Sequence, residues 1–288
     1  MYKPTPLLTA AIYGFAAFWL LLAAFPFLLT IWGSFKTELD FFGTDWTNVF
    51  TGRFTLEREG SYFTGIGYFL AWIQEDFWRA AINTIIITFF TVVISLTFGT
   101  LGGYALARSA YSYAFWILLI ALVFRALPHI VLVAGYKAPL FELGIWGHTW
   151  ITVIVLVAIN QPFTIWMMRS FFMNIPKELD ESALIDGCNR LKAFWFVIMP
   201  VMWPGVITTG LFSFLLAYND FIVGAALLSE QNSTMIPTIN SYLGTAQQDG
   251  IEMAAVAAVV SATAPLFVLV MVFQRQIVSG LTAGAVKG

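Results

Sequence analysis

One cysteine, two histidines and few charges narrow what this 288-residue chain is able to do. Cys188 has no partner for an internal disulfide, so nothing in the chain depends on an oxidising compartment, and its thiol is expected to fill a small-residue site. His129 and His148 show no ligand spacing with each other or with Cys188, which argues against a metal centre. No G-x-x-x-x-G-K-[ST] run is present, so the chain binds no nucleotide of its own through a phosphate loop. Charged residues make up 10% of the sequence against 59% hydrophobic ones, and no water-facing surface can be assembled from that mixture. The formal net charge of −2 gives no reason to expect nucleic acid. Internal repeats are lacking too, whereas secondary transporters often carry two related halves.

What the chain has in quantity is apolar length. A helix needs about 20 apolar residues to cross the hydrocarbon core, and six stretches qualify: residues 9–33, 80–106, 113–133, 145–168, 202–227 and 253–273. The first has Lys3 before it, but it is longer than the apolar core of a secretory signal and shows no small-residue cleavage site, so a retained helix is predicted. The organisation expected is a first span with a long outer loop (1–79), a five-span core (80–274) and a short cytoplasmic tail (275–288).

Lysine and arginine set the orientation. With both termini in the cytoplasm, Lys3, Arg108, Arg169, Lys177, Arg190, Lys192, Arg275 and Lys287 fall inside. Lys36, Arg53, Arg58, Arg79 and Lys137 fall outside, all but the last in one long loop where the rule is weak. That loop, 34–79, is crowded with rings, among them Phe41, Trp46, Phe54, Tyr62, Phe63, Tyr68, Trp72 and Phe77. Such rings settle at the headgroup level; an interfacial helix and a partner-docking surface are both open.

The most heavily charged interruption of the core is NIPKELDESALIDGCNRLKAFWFVIMPVMWP, residues 174–204. It carries Glu178, Asp180, Glu181 and Asp186 beside Lys177, Arg190 and Lys192. Pro176 suits the start of a helix, and the acids after it suit the positive helix end. Gly187 supplies a left-handed stop. A second short helix presents Leu191, Phe194 and Ile198 at helical spacing, before Pro200 and Pro204 are expected to break the chain's path. A helical hairpin of this kind on the inner face is built to dock into another protein.

Its wording resembles the EAA loop of ABC importer permeases, roughly EAAxxDGAxxxxxFxxIxxP. Glu181, Ala183, Asp186, Gly187, Phe194 and Pro200 fall in register, with Ser182 and Cys188 at alanine positions and Val197 at the isoleucine. Similarity to the carbohydrate-uptake branch extends over FPFLLTIWGSFK, NTIIITFFTVVISLTFGTLGGYALAR, QPFTIWMMRSFF, AYNDF and the tail GLTAGAVKG. The loop around 50–74 fits least well. The resemblance implies an all-α membrane protein of six transmembrane helices with the type I permease fold. It also implies a second, homologous permease, two ATPase subunits that use ATP and Mg, and an extracytoplasmic solute-binding protein, all in a prokaryotic inner membrane. No cofactor is expected on this chain. Glu181, Ala183, Leu184, Asp186, Gly187, Leu191 and Phe194 would then couple to the ATPase. For Phe194 and Ile198, packing beneath the chain's own helices is an equal alternative.

Polar groups inside spans are costly and tend to line a path or to pair. Arg125, His129, Asn160, Gln161, Asn219 and Asp220 are the candidates for contact with a small polar solute. Two roles are open for Arg125: an ion pair with Asp220 that fixes the bundle, or a place on the solute path. Pro128 is expected to kink the third span. Gly99, Gly102 and Gly103 are expected to let helices approach closely. The function implied is that of a permease in an ATP-driven importer of a sugar, polyol or similar solute. An ion-driven transporter is the alternative. An intramembrane enzyme is less well supported, because the spans offer no catalytic set at one depth.

Overall fold

The computed structural model describes residues 5–51, 64–109, 111, 113–244 and 250–282. Lys3, Arg53, Phe54, Arg58, Tyr62, Phe63, Lys287 and the last residues of the tail motif lie outside them. Among the described residues the regular structure is helical. Five helices among them are long and apolar enough to cross a membrane singly, and a pair bent by 84° has the length and composition of a sixth span if its two halves count as one.

The chain divides into two compact units. The first comprises residues 1–78 and 239–265. It opens with α1 (Pro6–Gly33), where Thr5 caps the N-terminus and Pro6 occupies a first-turn position that needs no N–H. Large apolar side chains along α1, such as Leu7, Phe15, Leu20 and Phe25, are exposed, as expected of a surface that meets lipid or another apolar helix and not water. The loop after it is built of short helices, α2 (Glu38–Phe42), α3 (Asn48–Thr51) and α4 (Ile66–Phe69), the last followed by a π-turn over Leu70–Gln74. Its aromatics divide into two sets. Trp46, Phe42 and Phe50 are exposed. Phe77 is fully buried, Trp72 donates to Ser261 Oγ at 3.0 Å, Trp32 donates to the Val49 carbonyl at 2.6 Å, and Tyr68 shares a hydrogen bond with Ser34. The described part is therefore no single amphipathic helix lying on a bilayer; hydrogen bonds tie Tyr68 and Trp72 to neighbouring helices.

The second unit comprises residues 79–238 and 266–288. Its elements are α5 (Phe77–Arg108, from residue 79), α6 (Tyr113–Arg125), α7 (His129–Glu142), α8 (Thr149–Met173), α9 (Glu178–Ile185), α10 (Arg190–Ala193), α11 (Met199–Tyr218) and α12 (Ile222–Leu227). Two further helices, α13 (Met235–Gly244) and α14 (Ile251–Thr282), complete the chain. Helix α8 is the centre of the unit. Thr152, Leu156, Asn160, Thr164, Met168 and Phe172 are buried along it at helical spacing, and α11 packs against it. The approach of α5 depends on glycine. A Cβ on Gly103 would lie 2.6 Å from Met168 Cβ and 2.9 Å from the Arg169 nitrogen, and one on Gly99 would overlap Thr164. Gly102 meets Ile165 at an ordinary 3.5 Å, so it is not part of that close seam.

Three expectations about helix limits need correction. The third span is not one kinked helix over 113–133. It breaks between Arg125 and His129, because Pro128 offers no N–H and the residue before a proline resists helical geometry. The fifth span does not run to 227 in one piece: α11 ends at Tyr218, and α12 begins three residues after Asn219. Pro200 and Pro204 do not break the chain. A π-turn over Phe194–Ile198 leads from α10 into α11, Pro200 falls in the first turn of α11, and the helix accommodates Pro204.

Candidate functional site: the coupling hairpin and the intramembrane polar groups

The hairpin forms because each of its turns has a partner for its backbone. Lys177 O accepts from the amides of Asp180 and Glu181 and so starts α9. At the other end Cys188 N donates to Ala183 O at 3.0 Å while Gly187 N donates to Leu184 O at 3.1 Å, and Gly187 has φ +85°. That double closure is the Schellman stop, and it places glycine where a Cβ would be strained. Asn189 then caps α10, its Oδ1 accepting from Lys192 N at 2.8 Å.

The segment from α9 to the π-turn at 194–198 has two faces. Ala183, Ala193, Phe194 and Ile198 are buried, and the last two join Met168, Phe172, Ile175 and Met202 in one cluster. Phe194 lies with its ring centroid 4.9 Å from that of Tyr104 and 6.4 Å from that of Phe172. It therefore packs beneath the chain's own helices, one of the two alternatives open for it, and Ala183 is buried as well. The opposite face shows Leu184 at 44% exposure, Ile185 at 85% and Leu191 at 68%, together with exposed Glu181, Asp186 and Gly187. Trp195 and Phe196 are exposed as well. Sequence alone marked neither Ile185 nor these rings, because periodicity reports that a face is apolar and not which neighbour covers it.

Two residues that sequence reasoning left unassigned hold the hairpin to α5. Arg108 forms an ion pair with Asp180 at 2.7 Å, and Tyr104 donates to the same carboxylate at 2.5 Å. Their four-residue spacing on one helix face was the available signal.

The intramembrane candidates separate into two groups. Arg125, His129 and Tyr136 line a cavity of about 410 Å³ between α6, α7 and α8. His129 also borders a second cavity of about 260 Å³ that reaches Asn219 and Asp220. Asn160 and Gln161 belong elsewhere. Asn160 is fully buried and donates to Ser213 Oγ of α11 at 2.8 Å, and Gln161 donates to the Ser95 carbonyl of α5 at 3.4 Å. The ion pair between Arg125 and Asp220 does not form. The Arg125 guanidinium lies 4.5 Å from the Phe163 ring centroid, while Asp220 accepts from the amides of Val223 and Gly224 in the first turn of α12. Asp220 is thus satisfied by its own chain at the break before α12, and Arg125 by a ring on α8. Among the described residues no cluster of His, Cys, Asp or Glu is placed to hold a metal ion.

Known proteins share this architecture. Residues 64–282 match the family described as binding-protein-dependent transport system inner membrane component. The trehalose/maltose transport system permease protein MalG of Thermococcus litoralis is 32% identical over 72% of this chain and 74% of its own length. The arabinooligosaccharides transport system permease protein AraQ of Halalkalibacterium halodurans is 28% identical over 99% of both chains. Among solved structures, a bacterial ABC transporter involved in the import of the acidic polysaccharide alginate covers 96% of this chain and 98% of its own, with a TM-score of 0.73 at 21% identity, which shows the shared fold. With a family match over most of its length and at least five helices long and apolar enough to cross a membrane among the described residues, the chain belongs to the binding-protein-dependent transport system inner membrane components and is a multi-pass permease subunit of an ABC importer.

Proposed function

We propose that this permease imports a carbohydrate and that residues 174–204 are its contact with the ATPase. It works beside a second, homologous permease, above two ATPase subunits that bind the ATP and Mg, and it receives solute from an extracytoplasmic binding protein. Both termini and the hairpin lie in the cytoplasm. The relatives named above for trehalose/maltose and for arabinooligosaccharides support a sugar as cargo. Arg125, His129, Asn219 and Asp220 border cavities at membrane depth and are the groups offered to sugar hydroxyls. Asn160 and Gln161 serve as interhelical bonds.

The observation that carries the docking role is the division of the hairpin into an anchored and a bare face. Leu184, Ile185 and Leu191 are large, apolar and uncovered on a segment rich in charge. Burying one such side chain is worth about 1.5–3 kcal/mol, and interface anchors are usually of this type. Glu181 and Asp186 beside them suit cationic groups in a receiving cleft. When ATP draws the ATPase subunits together, the hairpin moves with them, and the permease pair changes the side on which its path is open.

The test is purification of the transporter through a tag on this chain, comparing wild type with Leu184→Asp and Leu191→Asp. Wild type should retain a Mg-ATP-hydrolysing subunit that both variants lose, while the tagged chain stays inserted. Equal retention by all three contradicts the docking role. Reporter fusions at Arg108 and Lys192 should be cytoplasmic and one at Tyr136 external; an external Lys192 would remove the hairpin from ATP altogether.

A further inference from the structure

The chain itself joins α9 to α8 through residues 174–177 and to α10 through the turn at 186–189. Nothing covalent ties it to α5. Side chains make that connection. Arg108, the last residue of α5, sets its guanidinium 2.7 Å from one oxygen of Asp180 in the first turn of α9. Its Nη1 donates to the carbonyls of Phe172 and Ile175, each at 3.2 Å. Carbonyls at the end of a helix lack partners within it, so this arginine also closes α8. Tyr104, one turn earlier on the same face, donates its hydroxyl to the other Asp180 oxygen at 2.5 Å. Its ring lies 5.3 Å from Phe172 and 4.9 Å from Phe194, and the Arg108 guanidinium sits 5.8 Å above it.

The end of α5, the end of α8, the start of α9 and the Phe194 anchor thus meet in one knot. Both charged side chains are largely withdrawn from solvent, at 16% and 17% exposure, so salt and water weaken the pair less than a surface one. A carboxylate in the first turn of a helix usually serves its dipole. Asp180 is instead turned toward another helix and held there by the Tyr104 hydrogen bond and the Arg108 ion pair.

From this we infer that Arg108, Tyr104 and Asp180 are positioning residues that lock the hairpin to α5, so that a push on α9 moves α5 and α8 together. The inference rests on the docking role proposed above. A lever transmits motion only through a stiff joint. Without the lock α9 would pivot on two short connections, one of which contains the left-handed Gly187. The locked form delivers the same displacement to a helix that crosses the membrane.

The experiment is pulsed double electron resonance on the assembled transporter, in a Cys188→Ser background with the cysteines of the partner subunits also replaced, so that only introduced thiols are labelled. Spin labels are placed at Ile85 and Lys177, both exposed. The 1.5 Å rise per residue puts them about 35 Å apart along α5, within the range of the method. Distances are recorded without nucleotide and with Mg-ATP trapped by vanadate. With the native lock, the distribution should stay narrow and move by less than about 2 Å, the scale of ordinary helix adjustment. Tyr104→Phe, which keeps the ring stack, and Asp180→Asn should broaden it about twofold or shift it by about 5 Å, one helical turn. Asp180→Glu, which restores a carboxylate, should return it toward the native width. A native distance that moves by about 5 Å on trapping, or variants that superimpose on the native trace, overturns the lock. A separate label at Ile185 reports docking. If it remains freely mobile with the ATPase present, the docking role fails and the inference falls with it. If it is immobilised while the other distances refute the lock, the lock alone is wrong.

Discussion

Phe194→Ala separates the anchor of the hairpin from its contact face. The ring is 4% exposed and packs among Tyr104, Phe172 and Trp195, with centroid distances of 4.9, 6.4 and 5.2 Å. Loss of its apolar burial accounts for about 1.5–3 kcal/mol. The remaining cost is the cavity left behind, because Met168, Phe172 and Met202 sit on long helices that cannot collapse into it. Together these give about 3–5 kcal/mol, the usual cost of a buried Phe→Ala change. Phe194→Leu keeps most of the volume and should cost at most about 1.5 kcal/mol. Leu191→Ala, at a side chain that is 68% exposed, should change stability of the isolated chain by no more than about 0.5 kcal/mol and yet weaken ATPase retention. The assay is denaturation of the purified chain in detergent beside ATPase retention in the complex. A Phe194→Ala chain of native stability that sheds the ATPase would place the ring on the docking face and refute this division, and so would a Leu191→Ala chain that melts early.

The same geometry gives four other outcomes. Gly187→Ala meets no atom within 4 Å, so its cost is backbone strain alone, about 1–2 kcal/mol, and Gly187→Asn should cost less; melting curves of the two decide it. Gly103→Leu must force α5 off Met168 and the Arg169 backbone, costing about 3 kcal/mol or more, and should show as poor accumulation in the membrane. Asn160→Leu removes the donor to Ser213 and should destabilise by about 1–3 kcal/mol while leaving the profile of transported sugars unchanged; an altered profile in a stable protein would put Asn160 on the path. Arg125→Gln removes only a contact over Phe163, about 0.5–2 kcal/mol, so assembly should survive while solute-stimulated ATPase activity changes; disassembly would show a structural role instead.

The spans and the hairpin were legible in the sequence because both are local properties. Apolar length, the glycine at 187 and the acids after Pro176 state themselves within a few residues. Partner choice was not legible. Periodicity could not say that Phe194 turns toward Phe172 while Leu191 stays bare, nor that Arg125 and Asp220 each take a neighbour nearer in sequence or space than one another. The proline runs show the same limit. Pro128 ends a helix, whereas Pro200 and Pro204 are absorbed, and the π-turn that precedes Pro200 is a feature of backbone register that composition does not report. Helical spacing puts Tyr104 and Arg108 on one face, but their link to Asp180 spans more than seventy positions, and no helical pattern reports that partner.

If ATP drives this permease through its hairpin, uptake of radiolabelled sugar shows it most directly. The vesicles carry the complete transporter and its binding protein, and the sugar is the one that binding protein takes up in a prior binding screen. Uptake should require ATP, should be indifferent to ion gradients, and should vanish in Glu181→Lys with the chain still inserted. Uptake driven by an ion gradient without ATP, or near-native uptake by Glu181→Lys, would contradict it.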